Sequence, residues 1–187
     1  MKQLKPLLPL GGATITDFVV SSFQSAAVDV FLVVGYRQEE IKAGIKQRGF
    51  AIVYNPDYST GMLGSIQTGI RQLSREYQAF FVLPVDIPLV RVSTIEKLKK
   101  AWIMHPAKII YPVYDDKRGH PPLIPGSLIT GILEWKQEGG LKAFLKSHED
   151  IAREITVTDK NILFDIDTLE DYKELQERYR DYRSITE

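Results

Sequence analysis

The sequence predicts an α/β fold with a mostly parallel sheet covered by helices on both faces, and three observations carry that prediction. Residues 28–34 (VDVFLVV) and 79–85 (AFFVLPV) are near-continuous apolar runs, the pattern of strands buried on both sides. Such runs alternate with segments whose apolar residues recur at helical spacing, the order expected of a parallel sheet with crossover helices. The chain has 187 residues, of which 44% are hydrophobic and 26% charged, the balance of an ordinary globule with room for one domain over residues 1–187.

The elements follow in order. Residues 14–26 read as a helix with Ile15, Phe18, Val19, Ser22 and Phe23 on one face. Residues 28–34 form a buried strand, 38–47 a short helix and 50–54 a second strand. The turn formers of 55–61 make a loop that feeds a helix over 62–75, with Ile66, Ile70 and Leu73 in register. Residues 79–85 are a third strand whose regular pairing Pro84 should end. Ser93 and Glu96 are spaced as a capping box for a helix over 93–102. The alternation then loosens: a strand over 108–113, a polar loop over 115–122, short helices over 128–135 and 141–146, short strands over 155–158 and 162–164, and a charged closing helix over 169–182.

Composition excludes several function classes. Lys and Arg total 24 and Asp and Glu total 24, so the chain lacks the basic excess of a nucleic-acid-binding domain. The absence of cysteine removes disulfides, thiolate metal sites and a Cys nucleophile. No apolar run approaches the roughly 18 residues of a membrane span, and the start of the chain does not read as a signal peptide. A soluble, cytoplasmic protein is expected.

Ligands of open α/β sheets bind at the carboxyl ends of strands, so the loops that follow strands carry the candidate chemistry. Lys5 lies in a proline-stiffened segment, KPLLPLGG, and taken alone is a weak signal. In NPDYSTGMLGSI, from Asn55, a polar loop with Gly61 runs into a helix start carrying Ser65; free N–H groups there suit an anion or a base edge, and simple helix capping accounts for the pattern equally well. In PVDIP, Asp86 stands at the end of an apolar strand between two prolines, a costly place for a carboxylate without a cation or donors. Mg²⁺, which takes one or two carboxylates plus phosphate oxygens, fits it, and so does a role in capping the following turn. RGHPP puts Arg118, Gly119 and His120 in a rigid loop between strands. In DIDTLED, alternation places Asp165 and Asp167 on one face of a strand end; Asp167 is a plausible second metal carboxylate, although helix capping also explains an acid here.

In this order and spacing the pieces KPLLPLGG, NPDYSTGMLGSI, VLPVDIP, RGHPPL and FDIDTLEDY resemble the MobA-like NTP transferase family, nearest its CTP:molybdenum cofactor (molybdopterin) cytidylyltransferase branch. The resemblance runs from Met1 to about Leu175. It implies a Rossmann-like, three-layer α/β/α nucleotidyltransferase (GT-A-like) fold. It also implies transfer of a nucleotidyl group, CMP from CTP, to a phosphate-bearing acceptor such as molybdopterin, with release of pyrophosphate and Mg²⁺ as cofactor. Carried over, Lys5 contacts the nucleotide phosphates; Asn55, Gly61 and Ser65 lie near the nucleotide; Asp86 holds Mg²⁺ with Asp167; and Arg118, Gly119 and His120 line the acceptor side. Lys5 and Asp86 are the catalytic pair. Neither nucleic acid nor a membrane is an expected partner, whereas a molybdoenzyme or a second copy of the chain is a conceivable contact.

The sequence departs from the family at its start. The family opens with a buried strand and a glycine-rich loop, LAAGxSxRMGxxK, and Met1-Lys2-Gln3-Leu4-Lys5 aligns with the tail of that motif alone. A second departure is Gly64, where serine is common. The absent strand would be central, between the strands at residues 28 and 50 on one side and at residue 79 on the other. An open channel or a substitute strand is therefore expected beside the strand at 28–34, and continuous pairing of 28–34 with 79–85 would contradict that order. Such a gap suits a natural start lying upstream, another segment or a second copy filling the place, or a noncatalytic short form. Two other functions compete: a noncatalytic nucleotide- or pterin-binding protein, and a sugar-phosphate nucleotidyltransferase.

Overall fold

The computed structural model describes residues 4–73 and 77–186. Met1 and Lys2, which the sequence aligns with the tail of the expected phosphate loop, lie outside the described residues; the helix expected over 62–75 ends earlier, at Ile70, and its expected residues 74 and 75 also lie outside the described residues. The strands are β1 (Pro9–Leu10), β2 (Ala13–Thr14), β3 (Phe31–Val34), β4 (Ala51–Tyr54), β5 (Ala79–Phe81), β6 (Ile109–Tyr114), β7 (Lys117–Arg118), β8 (Leu123–Pro125) and β9 (Ala152–Thr156). The helices are α1 (Ile15–Ser25), α2 (Gln38–Gly44), α3 (Met62–Ile70), α4 (Val92–Met104), α5 (Ile129–Glu134), α6 (Gly140–Lys146) and α7 (Leu169–Thr186).

The sheet is mixed. β3 and β4 pair in parallel, from Phe31 opposite Ala51 to Val34 opposite Tyr54. A larger sheet runs β5-β8-β6-β7, with β9 also on β6. There β9 is parallel to β6, while β8 is antiparallel to both β5 and β6. β8 is three buried residues before Gly126, too short to read as a strand from sequence. Its burial is decisive, since Ile124, Ile109 and Ile110 are completely enclosed where β8 meets β6.

Among the described residues no pairing joins β3 to β5, as the expected strand order requires. Side chains make the junction instead. Phe23 meets Phe81 edge to face at 5.6 Å, Phe31 meets Tyr77 at 5.9 Å, and the Tyr77 hydroxyl donates to Asp29 at 2.9 Å.

Helix starts are set by local groups in some places and by distant ones in others. α1 opens on a capping box: the Thr14 hydroxyl accepts from the Asp17 N–H at 3.1 Å and the Asp17 carboxylate accepts from the Thr14 N–H at 3.0 Å. The capping box expected at Ser93 and Glu96 does not form, because α4 begins one residue earlier and its cap residue is Arg91. The buried Asp159 carboxylate does the work from a distance, accepting from the Arg91 N–H at 2.8 Å and the Thr94 hydroxyl at 3.0 Å. Residues 160–163 form a 3-10 turn that starts under the same Asp159, and the strand expected over 162–164 does not form. α7 packs its aromatic face on α1, with Phe18 edge to face against Tyr179 and Tyr182. It also donates to the Pro9 carbonyl through Tyr172 and Gln176 at 2.7 and 2.8 Å, which anchors the segment carrying Lys5.

Candidate active site

Four chain segments meet around Asp86. The first is the 3-10 turn Lys5–Leu7, held where the Thr16 hydroxyl donates to the Pro6 carbonyl at 2.8 Å. The second is the turn after β5, closed by the Ile87 N–H on the Pro84 carbonyl at 3.2 Å. The third is 164–168, tied to it by the Ile166 N–H donating to the Asp86 carbonyl at 3.0 Å. The fourth is the Gly119–His120 loop, whose N–H groups donate to the Pro112 and Ile162 carbonyls at 2.9 Å each. Gly119 is required there, since a Cβ would lie 2.5 Å from the Ile162 carbonyl oxygen.

These segments bring together Lys5, Asp86, His120 and Asp167, and with them Asp165. Lys5 Nζ reaches Asp167 Oδ1 at 2.7 Å. Alternation works as the sequence indicated: Ile166 is buried and Asp165 and Asp167 are exposed. Asp167 is oriented by its own N–H, which donates to Asp171 at 2.9 Å as that residue caps α7. Burial pushes the Asp86 carboxyl above the usual carboxylate range; Lys5 opposes this, and Asp167 and Asp165 add to it. Burial likewise holds His120 below the ordinary imidazole value, against a hydrogen bond with the Val82 backbone and the charges of Asp86 and Asp165. The His120 Nδ1 atom is buried without a protein partner. Asp165, which the sequence reading placed beside Asp167 without a role, is the third acid acting on this centre. Its only sequence signal is that alternation.

A second group forms at the carboxyl end of β4. Asn55, 2% exposed, donates through its side chain to the Ser65 hydroxyl at 3.0 Å and accepts from the Asp57 N–H at 3.1 Å. The loop is thereby fastened to the first turns of α3. Gly61 stands at the cap with φ of 107°, a conformation that L side chains rarely adopt, and no side chain caps this helix. A Cβ on Gly64 would lie 2.8 Å from the Thr60 hydroxyl, so the loop packs closely against the start of α3.

Arg118 is placed differently from the other candidates. Its guanidinium donates to Glu154 at 2.6 Å and to Glu149 at 2.9 Å, and it lies over the Tyr111 ring at 4.5 Å. Hydrogen bonding to Glu149 raises its already high pKa further. In these contacts the residue fastens β7 to β9 and to the turn before it.

The donor set also bears on a metal. Among the described residues no group of three or more His, Cys, Asp or Glu is arranged to hold an ion. Asp86 and Asp167 offer two hard oxygen donors and no protein cage. That suits Mg²⁺, which is bound by one or two carboxylates plus substrate phosphates and keeps several waters. Among the described residues no helix is long and apolar enough to cross a membrane.

Comparison with known proteins identifies the family. Residues 1–151 match the MobA-like NTP transferase domain. The chain is 27% identical over 180 residues to the molybdenum cofactor cytidylyltransferase of Escherichia coli (strain K12), covering 96% of this chain and 90% of that protein. It is 26% identical over 176 residues to the nicotine blue oxidoreductase of Paenarthrobacter nicotinovorans, covering 89% and 84%. One scaffold thus carries more than one named activity, and the site must decide between them. The crystal structure of Rv0371C from Mycobacterium tuberculosis H37Rv, a complex with manganese, has a TM-score of 0.81 at 22% identity, covering 94% of this chain and 93% of that one. The chain belongs to the MobA-like NTP transferase family and is a nucleotidyltransferase with a Rossmann-like α/β fold.

Proposed function

We propose that the chain, acting as one domain, transfers CMP from CTP to a phosphate on molybdopterin or the molybdenum cofactor, with Mg²⁺ as cofactor and pyrophosphate as the second product. The observation that carries this reading is the meeting of a cation, Lys5, with Asp86, Asp167 and His120 at one strand end.

In this reading an acceptor phosphate oxygen attacks the α-phosphorus in line and the bond to pyrophosphate breaks. Negative charge grows on the equatorial and leaving oxygens, so catalysis is positioning and charge stabilisation. Asp86 and Asp167 would hold Mg²⁺, which when bound supplies positive charge to the phosphate oxygens. Lys5 is kept at the site by its pair with Asp167 and turns its ammonium to the triphosphate when that ligand arrives. Asn55, Gly61 and Ser65 fix the nucleotide side. Gly119 and His120 face the acceptor, with His120 neutral at pH 7 and able to donate or accept a hydrogen bond. Arg118 acts through its grip on the loop that carries them.

The test is pyrophosphate release from CTP, ATP, GTP and UTP with Mg²⁺ and molybdopterin. CTP is expected to be preferred, and release should vanish without the acceptor. No release with any triphosphate would overturn the reading. Turnover with a sugar phosphate in place of molybdopterin would move it to the neighbouring acceptor class.

A further inference from the structure

We propose that Tyr58 and Tyr36 form a stacking surface for the planar base of the nucleotide; the inference rests on the nucleotidyl-transfer reading and names residues for the base, which that reading leaves without a partner.

Tyr58 opens the 3-10 turn Tyr58–Thr60, inside the loop that begins at Asn55 and ends at Gly61. Tyr36 follows β3, the parallel neighbour of β4. Both rings therefore stand at carboxyl ends of the β3–β4 pair. They are 42% and 60% exposed, large aromatic faces left open to solvent. They are also near each other, with centroids 6.2 Å apart and planes inclined by 54°, a notch rather than a closed stack. The site is built rather than incidental. A Cβ on Gly35 would lie 2.3 Å from the Tyr58 Cβ, so glycine lets Tyr58 seat directly against the chain leaving β3. Asn55 fastens the other end of the same loop to Ser65. Met62, 67% exposed at the start of α3, adds an adaptable apolar edge.

An aromatic ring held by a rigid loop next to polar groups stacks on a heterocycle at low entropic cost, because few rotamers are lost on binding. The base is favoured over a ring on the acceptor, because Tyr58 shares its loop with Asn55 and Gly61 and Tyr36 follows the neighbouring strand, whereas His120 lies in the loop before β8, in the other sheet.

Calorimetry with CTP and with tripolyphosphate, both in Mg²⁺, separates the possibilities. Tyr58→Leu is expected to weaken CTP about tenfold, the scale of one lost base–aromatic stack, and to leave tripolyphosphate unchanged. Tyr58→Phe should bind CTP like the parent chain, and Tyr36→Leu should fall between. Loss of base absorbance on binding should accompany the parent and the Phe variant and disappear in the Leu variant. Equal weakening of both ligands, or a rise confined to the KM of the acceptor, would overturn the stacking assignment and leave nucleotidyl transfer standing. Failure of the parent chain to bind either ligand would overturn both.

Discussion

Asp17 and Asp86 are both withdrawn from solvent, and the structure moves their acidities in opposite directions. Burial alone would raise Asp17, but the N–H groups of Gln47, Thr14 and Lys46 and the Thr14 hydroxyl converge on it and bring its pKa below the usual range. Gln47 and Lys46 donate at 2.7 and 2.8 Å to the oxygen that Thr14 does not use. Asp86 is raised by burial, and its neighbours include two more acids and one ammonium. One carboxylate is finished by the fold; the other is left short of positive charge. A carboxylate satisfied by backbone donors holds structure together, and one kept short of them is poised for a ligand that brings charge.

The largest effect expected from this contrast is at Asp86. Asp86→Asn should lower kcat for pyrophosphate release by about 10²–10³, the usual loss when one fixed electrostatic group is removed from a transition state. Its melting temperature should match or exceed that of the parent chain, because a strained carboxylate has been neutralised. A variant that keeps its rate, or that unfolds, would place Asp86 beside Asp17 as a structural acid. Asp17→Ala should show the reverse. It strands buried N–H groups and removes the Asp17 half of the α1 capping box, at a cost of about 1–3 kcal/mol in urea unfolding. The rate per folded molecule should stay at that of the parent chain.

Much of this contrast was legible in the sequence, for physical reasons. Asp86 was visible because an acid at the end of an apolar run between prolines is costly without a cation or donors. Lys5, His120 and Asp167 were visible through their motifs, and the helix that carries Asp17 was visible from its apolar face, although the capping pair of Thr14 and Asp17 was not. What escaped depends on partners distant in the chain. Asp159 caps α4 from a separation of 68 residues, which made Ser93 and Glu96 look sufficient when they are not used. Arg118 is gripped by Glu149 and Glu154, 31 and 36 residues away, and no local pattern announces that clasp. β8 escaped because three residues carry no period, and its direction is set by the strands on either side.

Arg118 offers an intermediate test between a finished and an unfinished charge. Its guanidinium has two carboxylates and a ring, so it resembles Asp17 in being satisfied, yet it adjoins the Gly119–His120 loop. Arg118→Met should lower the melting temperature by about 2–4 °C, the scale of a partly exposed ion-pair network in a chain of this size. It should raise the KM for the acceptor more than that for CTP, because the acceptor loop loosens while the Asn55 loop does not. A collapse of kcat with no change in stability would instead put Arg118 in contact with the reacting phosphates.

The smallest effect is a pH dependence, and it isolates Asp17 from every group at the site. Its folded pKa lies below the ordinary carboxylate value of about 4, so between the two values the unfolded chain binds more protons than the folded one. Unfolding free energy therefore rises with pH through that window. The stabilisation from the ionised carboxylate is complete above the unfolded value and is lost as pH falls through the folded value. Asp17→Asn keeps the shape of the side chain and cannot ionise. The stability difference between the parent chain and this variant should be constant from pH 7 down to about 5, then shrink as pH drops below about 4. A difference that does not change with pH would mean that the N–H groups of Thr14, Lys46 and Gln47 are satisfied as well by a neutral amide oxygen, and that Asp17 holds α1 by shape rather than by charge.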